Sequence, residues 1–196
     1  MEEIAATAAR MVVEEGLEYG PAKRRAAKQL GLPARTALPD NDAVEAEVRE
    51  YIELFCGDTQ PGELQALRRL ALQWMERLAQ FHPYLSGAVW HGTATRLSDI
   101  YLQLFCKDSK SAEIALIDWG VAYEPRRVTG LHQQEVDALS LHATCRELGE
   151  SVGVHLLVHD VDDLRGALVF DRQGRSPRGD AQAVRKLLGP VHTDFS

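Results

Sequence analysis

The spacing of hydrophobic residues changes at His82-Pro83, and that change sets the fold class. Before it, apolar residues recur at helical spacing. Ile4, Ala8, Met11 and Val12 mark a helix over 3–15, with Gly16 as its stop. A second helix is expected over 21–30, with Pro21 in its first turn and Gly31 at its end. Residues 32–41 are rich in helix breakers and read as a linker. A third helix follows, capped by Asp42 and carrying Val44, Val48, Tyr51, Ile52 and Phe55 on one side. After a break at 57–62, residues 61–81 form the strongest helical pattern. Leu64, Leu67, Leu70, Ala71, Trp74, Leu78 and Phe81 make its apolar stripe, and Arg68, Arg69, Glu76 and Arg77 its polar side. Pro83 ends it, because a proline pushes the preceding residue out of the helical region.

Beyond Pro83 the apolar segments are short. Residues 85–91, Ile100–Cys106 and 113–119 read as three strands, with 107–111 as a polar hairpin-type connection between the second and third. Helical spacing returns over 133–148, and 152–159 reads as a fourth strand. A short helix over 162–168, a loop over 173–179 and a terminal helix over 181–188 complete the chain. Helices first and mixed elements afterwards predict an α/β (α+β) fold: a small mixed β-sheet with flanking helices, preceded by an α-helical N-terminal region. The expected division is a helical region over 1–58 and an α/β domain over 59–196.

With 196 residues the chain is long enough for one domain with a helical extension. A net charge of −7 argues against a broad nucleic-acid surface, so nucleic acid is not an expected partner. No uncharged apolar run approaches the roughly 18 residues of a membrane span. Glu2, Glu3, Arg10, Glu14 and Glu15 are not the pattern expected of a signal peptide over the first fifteen residues. Cys56, Cys106 and Cys145 are odd in number and far apart, which suggests reduced thiols and a cytoplasmic protein.

The chemistry is concentrated between Trp90 and Leu102. An apolar run leads into Gly92-Thr93, and Ser98-Asp99 opens the next apolar run. Gly92 lets the backbone approach a phosphate without a Cβ in the way. Thr93 adds a hydroxyl, and Arg96 offsets phosphate charge. Asp99 begins a strand and Asp118 lies in Leu116-Ile117-Asp118-Trp119. On adjacent strands, about 4.8 Å apart, their carboxylates would meet. Paired carboxylates suit Mg²⁺.

These residues resemble the polymerase-β-type nucleotidyltransferase superfamily, in which a helix is followed by a strand ending in a Gly-Ser or Gly-Gly pair. A strand bearing Asp-x-Asp comes next, then a third acid on a later strand. The resemblance covers roughly 61–120. Gly92-Thr93 stands for the Gly pair, Asp99-Ile100-Tyr101 for Asp-x-Asp, and Asp118 for the third acid. It implies Mg²⁺-dependent transfer of a nucleotidyl group from ATP or another NTP to an acceptor. Gly92, Thr93 and Arg96 would bind the donor, and Asp99 and Asp118 would hold the metal and serve catalysis. Tyr101 takes the place of the second acid, and a phenol is a poor Mg²⁺ ligand at neutral pH. That leaves a one-metal site or a degenerate member that binds a nucleotide or a partner protein, in antitoxin or regulatory fashion or as a homodimer.

Three further features have structural and functional readings. His91, beside Gly92, fits a phosphate contact or, more simply, a strand end. The run His159-Asp160-Val161-Asp162-Asp163 fits extra metal ligands or, more simply, a turn and helix cap. Lys23-Arg24-Arg25 with Lys28, before Leu30-Gly31-Leu32-Pro33, fits a helix-turn-helix, and so a small DNA-binding regulator using 21–38. The breakers that follow favour a solvated basic face.

Overall fold

The computed structural model describes residues 1–129, 134–171 and 173–190. They divide into two compact units: residues 1–64 with 93–98, and residues 65–92 with the described residues from 99 onward.

In the first unit, α1 (Glu2–Glu15), α2 (Tyr19–Gln29) and α3 (Asn41–Phe55) share one core. Its buried side chains are largely small: Ala5, Ala8 and Ala9 on α1, and Ala22, Ala26 and Ala27 on α2. Small residues set how closely helices approach. Ile4, Met11, Val13, Val44, Val48 and Ile52 fill the remainder. Gly16 ends α1 with φ 70°, a left-handed conformation that favours glycine. A Cβ at this position would meet the Leu97 carbonyl oxygen at 3.0 Å. Asp40 caps α3, where the sequence suggests Asp42: the Asp40 Oδ1 accepts from the Ala43 N–H at 2.8 Å. Asp42 lies in the first turn, where its charge still favours the helix N-terminus.

Residues 32–40 hold no helix, so α2 has no recognition helix behind it. Two of its basic residues make local bonds. The Lys23 Nζ donates to the Pro39 carbonyl at 3.0 Å and to Asn41 Oδ1 at 2.9 Å, and Arg25 pairs with Glu15.

Helix α4 runs over Gln60–Arg77 and contains the unit boundary. A 3-10 turn over Ala79–Phe81 follows, and His82 takes a left-handed φ of 50° before Pro83.

The second unit is a six-stranded mixed sheet with short helices. In chain order it holds β1 (Tyr84–Ser86), α5 (Gly87–His91), β2 (Ile100–Cys106), α6 (Ser111–Asp118), β3 (Glu124–Thr129) and β4 (Glu135–Cys145). Then come β5 (Glu150–Asp160), α7 (Leu164–Ala167), β6 (Arg178–Gly179) and α8 (Ala181–Leu188). The strand order is β3-β4-β5-β2-β1-β6; β2 and β5 pair in parallel and the other pairs are antiparallel. One face is apolar and buried, with Leu85, Ile100, Leu102, Leu104, Leu139, Leu141, Val152, Val154 and Leu156.

Three sequence expectations are corrected here. The first strand stops at Ser86, and 87–91 is the short helix α5, which begins at Gly87 with φ 72°. Residues 113–119 are not a strand: 113–118 belong to α6 and Trp119 follows its end, so 107–111 joins a strand to a helix and is no hairpin. A short apolar run has no decisive period. Here it buries Ala112, Ala115 and Leu116 at helical spacing and leaves Ile114 and Ile117 exposed. Residues 133–148 are not a helix: 135–145 form β4, and Gly130 to Gln133 lie outside the described residues. The strict alternation of buried Leu139, Leu141, Ala143 and Cys145 outweighs the helical pairs. Strands β3 and β6 had no clear apolar pattern to announce them. Among the described residues no helix is long and apolar enough to cross a membrane, and the three cysteines are free.

Candidate functional site

Strand alternation sends the side chains of Asp99, Tyr101 and Gln103 away from the apolar core, onto the sheet's polar face. The register aligns Arg178 on β6, Ser86 on β1, Tyr101 on β2, His155 on β5 and Ser140 on β4 in one row across that face.

His155 is the hub. Its Nε2 lies 2.8 Å from Asp99 Oδ2 and its Nδ1 lies 2.8 Å from the Ser140 hydroxyl. Its ring stacks on Tyr101, with centroids 4.8 Å apart and planes inclined by 26°. An ionised carboxylate only accepts, so Nε2 carries the hydrogen, and in the neutral ring Nδ1 accepts from Ser140. The imidazole bond holds the Asp99 carboxyl below its ordinary pKa, assisted by the Gly153 N–H and opposed by burial. The Asp99 side chain is still 44% exposed, so the site opens to solvent. Gly153 lets Asp99 lie over the β5 backbone: a Cβ there would be 2.7 Å from Asp99 Cγ.

Ser140, His155 and Asp99 have the order of a hydrolytic triad, but Ser140 is in the middle of a strand paired on both sides. The ladder engages the neighbouring amides, which leaves no preorganised donors for an oxyanion. The chain of bonds therefore orients Asp99 and His155; it does not arm a serine.

The expected site residues are distributed differently. Gly92 caps α5 with φ 91°, and its N–H donates to the Ala88 carbonyl at 2.9 Å. Thr93 is buried, with its hydroxyl unbonded. Arg96 is exposed, and its backbone N–H donates to the Glu63 carboxylate at 3.0 Å. Asp118 is the exposed last residue of α6. It is on no strand, so strand pairing does not bring it to Asp99. Of the five, Asp99 is bonded to a residue of the polar face, His155. His91 is the last residue of α5, and Asp160 caps the turn after β5 by accepting from the Asp162 N–H at 2.8 Å.

Two features were missed in the sequence. The turn after β1 is Ser86-Gly87, which the apolar Ala88-Val89-Trp90 disguised as continuing strand. A Cβ on Gly87 would be 3.6 Å from the Tyr101 ring, so this turn borders β2. His155 was the other; a polar residue at an alternating position within an apolar strand was its only signal.

Arg68 and Trp90 fix the helix that follows the turn. Arg68 is 8% exposed; its Nε donates to the Val89 carbonyl at 2.9 Å and its Nη2 to the Trp90 carbonyl at 3.0 Å. These are C-terminal carbonyls of α5 that lack helical partners. The Trp90 Nε1 donates to the Ser176 carbonyl at 2.8 Å. The Trp90 ring lies against Gly179, where a Cβ would come within 2.3 Å of it.

Among the described residues, no group of three or more His, Cys, Asp or Glu side chains is arranged to hold a metal ion. Comparison with protein-family profiles, curated proteins and solved structures finds no match.

Proposed function

We propose that the sheet unit is a nucleotidyltransferase-like fold that binds a nucleotide such as ATP without transferring it. One observation carries this reading. At the head of β2, Asp99 and Tyr101, which take the Asp-x-Asp positions of the resemblance, converge with His155 on the adjacent strand, while Asp118, the expected third acid, lies on no strand. The order of elements around them also supports it: helix α4, strand β1 followed by the Ser86-Gly87 turn, Asp99 just before β2, and His155 on the neighbouring β5.

The donors around Asp99 suit binding better than Mg²⁺ catalysis. The carboxylate is engaged by the His155 imidazole, which stacks on the Tyr101 ring and takes the Ser140 hydroxyl on its other nitrogen. Mg²⁺ takes oxygen ligands, chiefly carboxylates, phosphates and water. The transferase reading needs Asp118 as the second acid, and Asp118 ends an exposed helix. In the binding reading Asp99, His155 and Ser140 offer hydrogen bonds, and Tyr101 offers an aromatic surface of the kind on which bases stack.

Calorimetric titration of ATP, in EDTA and then in Mg²⁺, tests this with the wild type and Tyr101→Ala. The expected result is metal-independent binding, weakened by roughly tenfold in Tyr101→Ala, with no pyrophosphate released. Absence of binding overturns the proposal. Pyrophosphate release that needs Mg²⁺ and Asp99 overturns it in favour of an active transferase.

A further inference from the structure

At the opposite end of β2 from Asp99 lies a cavity of about 300 Å³. Three stretches of chain build it. The turn after α4 supplies Phe81 and His82, the end of β2 and the loop after it supply Phe105, Lys107 and Asp108, and Val161 follows β5. The volume is at the small end for a small-molecule site, and such sites set a few polar groups among apolar walls.

The apolar wall is held in place by its neighbours. Phe105 is buried, with the His159 ring stacked on it at 5.3 Å between centroids and the Tyr84 ring edge-on at 5.7 Å. Phe81 is buried as well. His82, next in the chain, has φ 50° and is the one non-glycine residue in the left-handed region among the described residues. Such a backbone persists where the surrounding structure imposes it. Cys106, also on the wall, stays a neutral thiol, because burial and then the Asp108 charge push its pKa up to about 11.

The charged groups carry both signs. Lys107 has no ion-pair partner among the described residues. Asp108 Oδ1 accepts from the Lys110 N–H at 2.9 Å, which anchors the carboxylate and leaves Oδ2 available. Adjacent in sequence, the two residues line one cavity without pairing with each other.

We infer that this cavity binds a free α-amino acid with a large apolar side chain. Its carboxylate pairs with Lys107, its ammonium with Asp108, and its side chain lies against Phe81, Phe105 and Val161. A wholly apolar ligand leaves both charges unmet, and a simple ion leaves one charge and the apolar wall unmet. A zwitterion with an apolar side chain meets all three. No residue of the Asp99 group takes part and the test uses no nucleotide, so the inference stands or falls separately from the nucleotide reading.

The test is calorimetry at pH 7 with L-phenylalanine and two analogues: phenylethylamine, which lacks the carboxylate, and phenylpropionate, which lacks the ammonium. Wild-type protein is expected to bind phenylalanine at least about tenfold more tightly than either analogue, the scale of one hydrogen bond to a charged group. Lys107→Gln is expected to lose at least about tenfold in phenylalanine affinity on the same scale while binding phenylethylamine as the wild type does. No heat with phenylalanine, or equal affinity for phenylalanine and either analogue, overturns the inference with no variant needed. Unchanged phenylalanine affinity in folded Lys107→Gln, verified by circular dichroism, overturns it as well.

Discussion

His155 Nε2 donates to Asp99 Oδ2 across the only parallel strand pair among the described residues, at 2.8 Å, and its other ring nitrogen takes the Ser140 hydroxyl at the same distance. The two residues are 56 positions apart in sequence, so the bond exists only once β2 and β5 are registered. A double-mutant cycle with Asp99→Asn and His155→Gln measures it. A coupling of about 1 kcal/mol is expected, at the lower end for a charge-assisted bond because Asp99 is partly exposed. Strictly additive effects would mean that the pair is not formed in solution.

The same bond sets an acid limb. The folded-state pKa of Asp99 is depressed by the imidazole first. Its stabilisation is therefore complete above the unfolded value of about 3.9 and is lost as pH falls through the lower folded value. Asp99→Asn should flatten the decline of thermal stability below about pH 4, as read by melting curves. An unchanged acid limb contradicts the assignment.

His159 predicts a second pH dependence in a different window. Burial lowers its folded pKa, so the folded protein binds fewer protons there than the unfolded chain. Its contribution is complete above about 6.5, the unfolded value, and is lost as pH falls through the folded value. His159→Gln should reduce the fall in melting temperature between pH 7 and pH 5. A fall as steep as that of the wild type would place the titrating group elsewhere.

Gly153→Ala puts a methyl group 2.7 Å from Asp99 Cγ, so the carboxylate must move. A loss of about 1–3 kcal/mol is expected from overpacking, and the Asp99–His155 coupling should disappear with it. Denaturant titration of the variant alone and combined with Asp99→Asn separates these effects. Full stability with coupling intact would contradict the close approach.

Arg68→Leu keeps much of the side-chain volume but leaves the Val89 and Trp90 carbonyls without their donors. The expected cost is about 2–4 kcal/mol. Hydrogen exchange should show the amides of α5 opening more readily than those of β2. A neutral substitution would mean that water replaces the guanidinium at no cost.

The helices of the first unit were legible because each carries a long periodic stripe and a local stop. Gly16 and the breakers after Leu30 work within a few residues of the helices they end. The sheet was less legible, because a strand is defined by its neighbours. The run Ile114–Trp119 is apolar enough for either state, and only packing selects Ala115 and Leu116 as its inward side. In β4 the alternation from Leu139 to Cys145 was present, but Val136 and Leu148 at helical spacings obscured it. For the site, Asp99 was readable as an acid opening a strand. His155 was not, because its role depends on β5 pairing beside β2, and Gly87 was hidden behind an apolar segment that continues as helix.

The central claim is that the Asp99–His155–Tyr101 group receives a nucleotide without a metal. Proton–nitrogen spectra of the imidazole groups, recorded while ATP is added in EDTA, test it most directly. The account predicts that the His155 ring signals move progressively and saturate with ATP. His155 signals that stay fixed while ATP saturates the protein would contradict it.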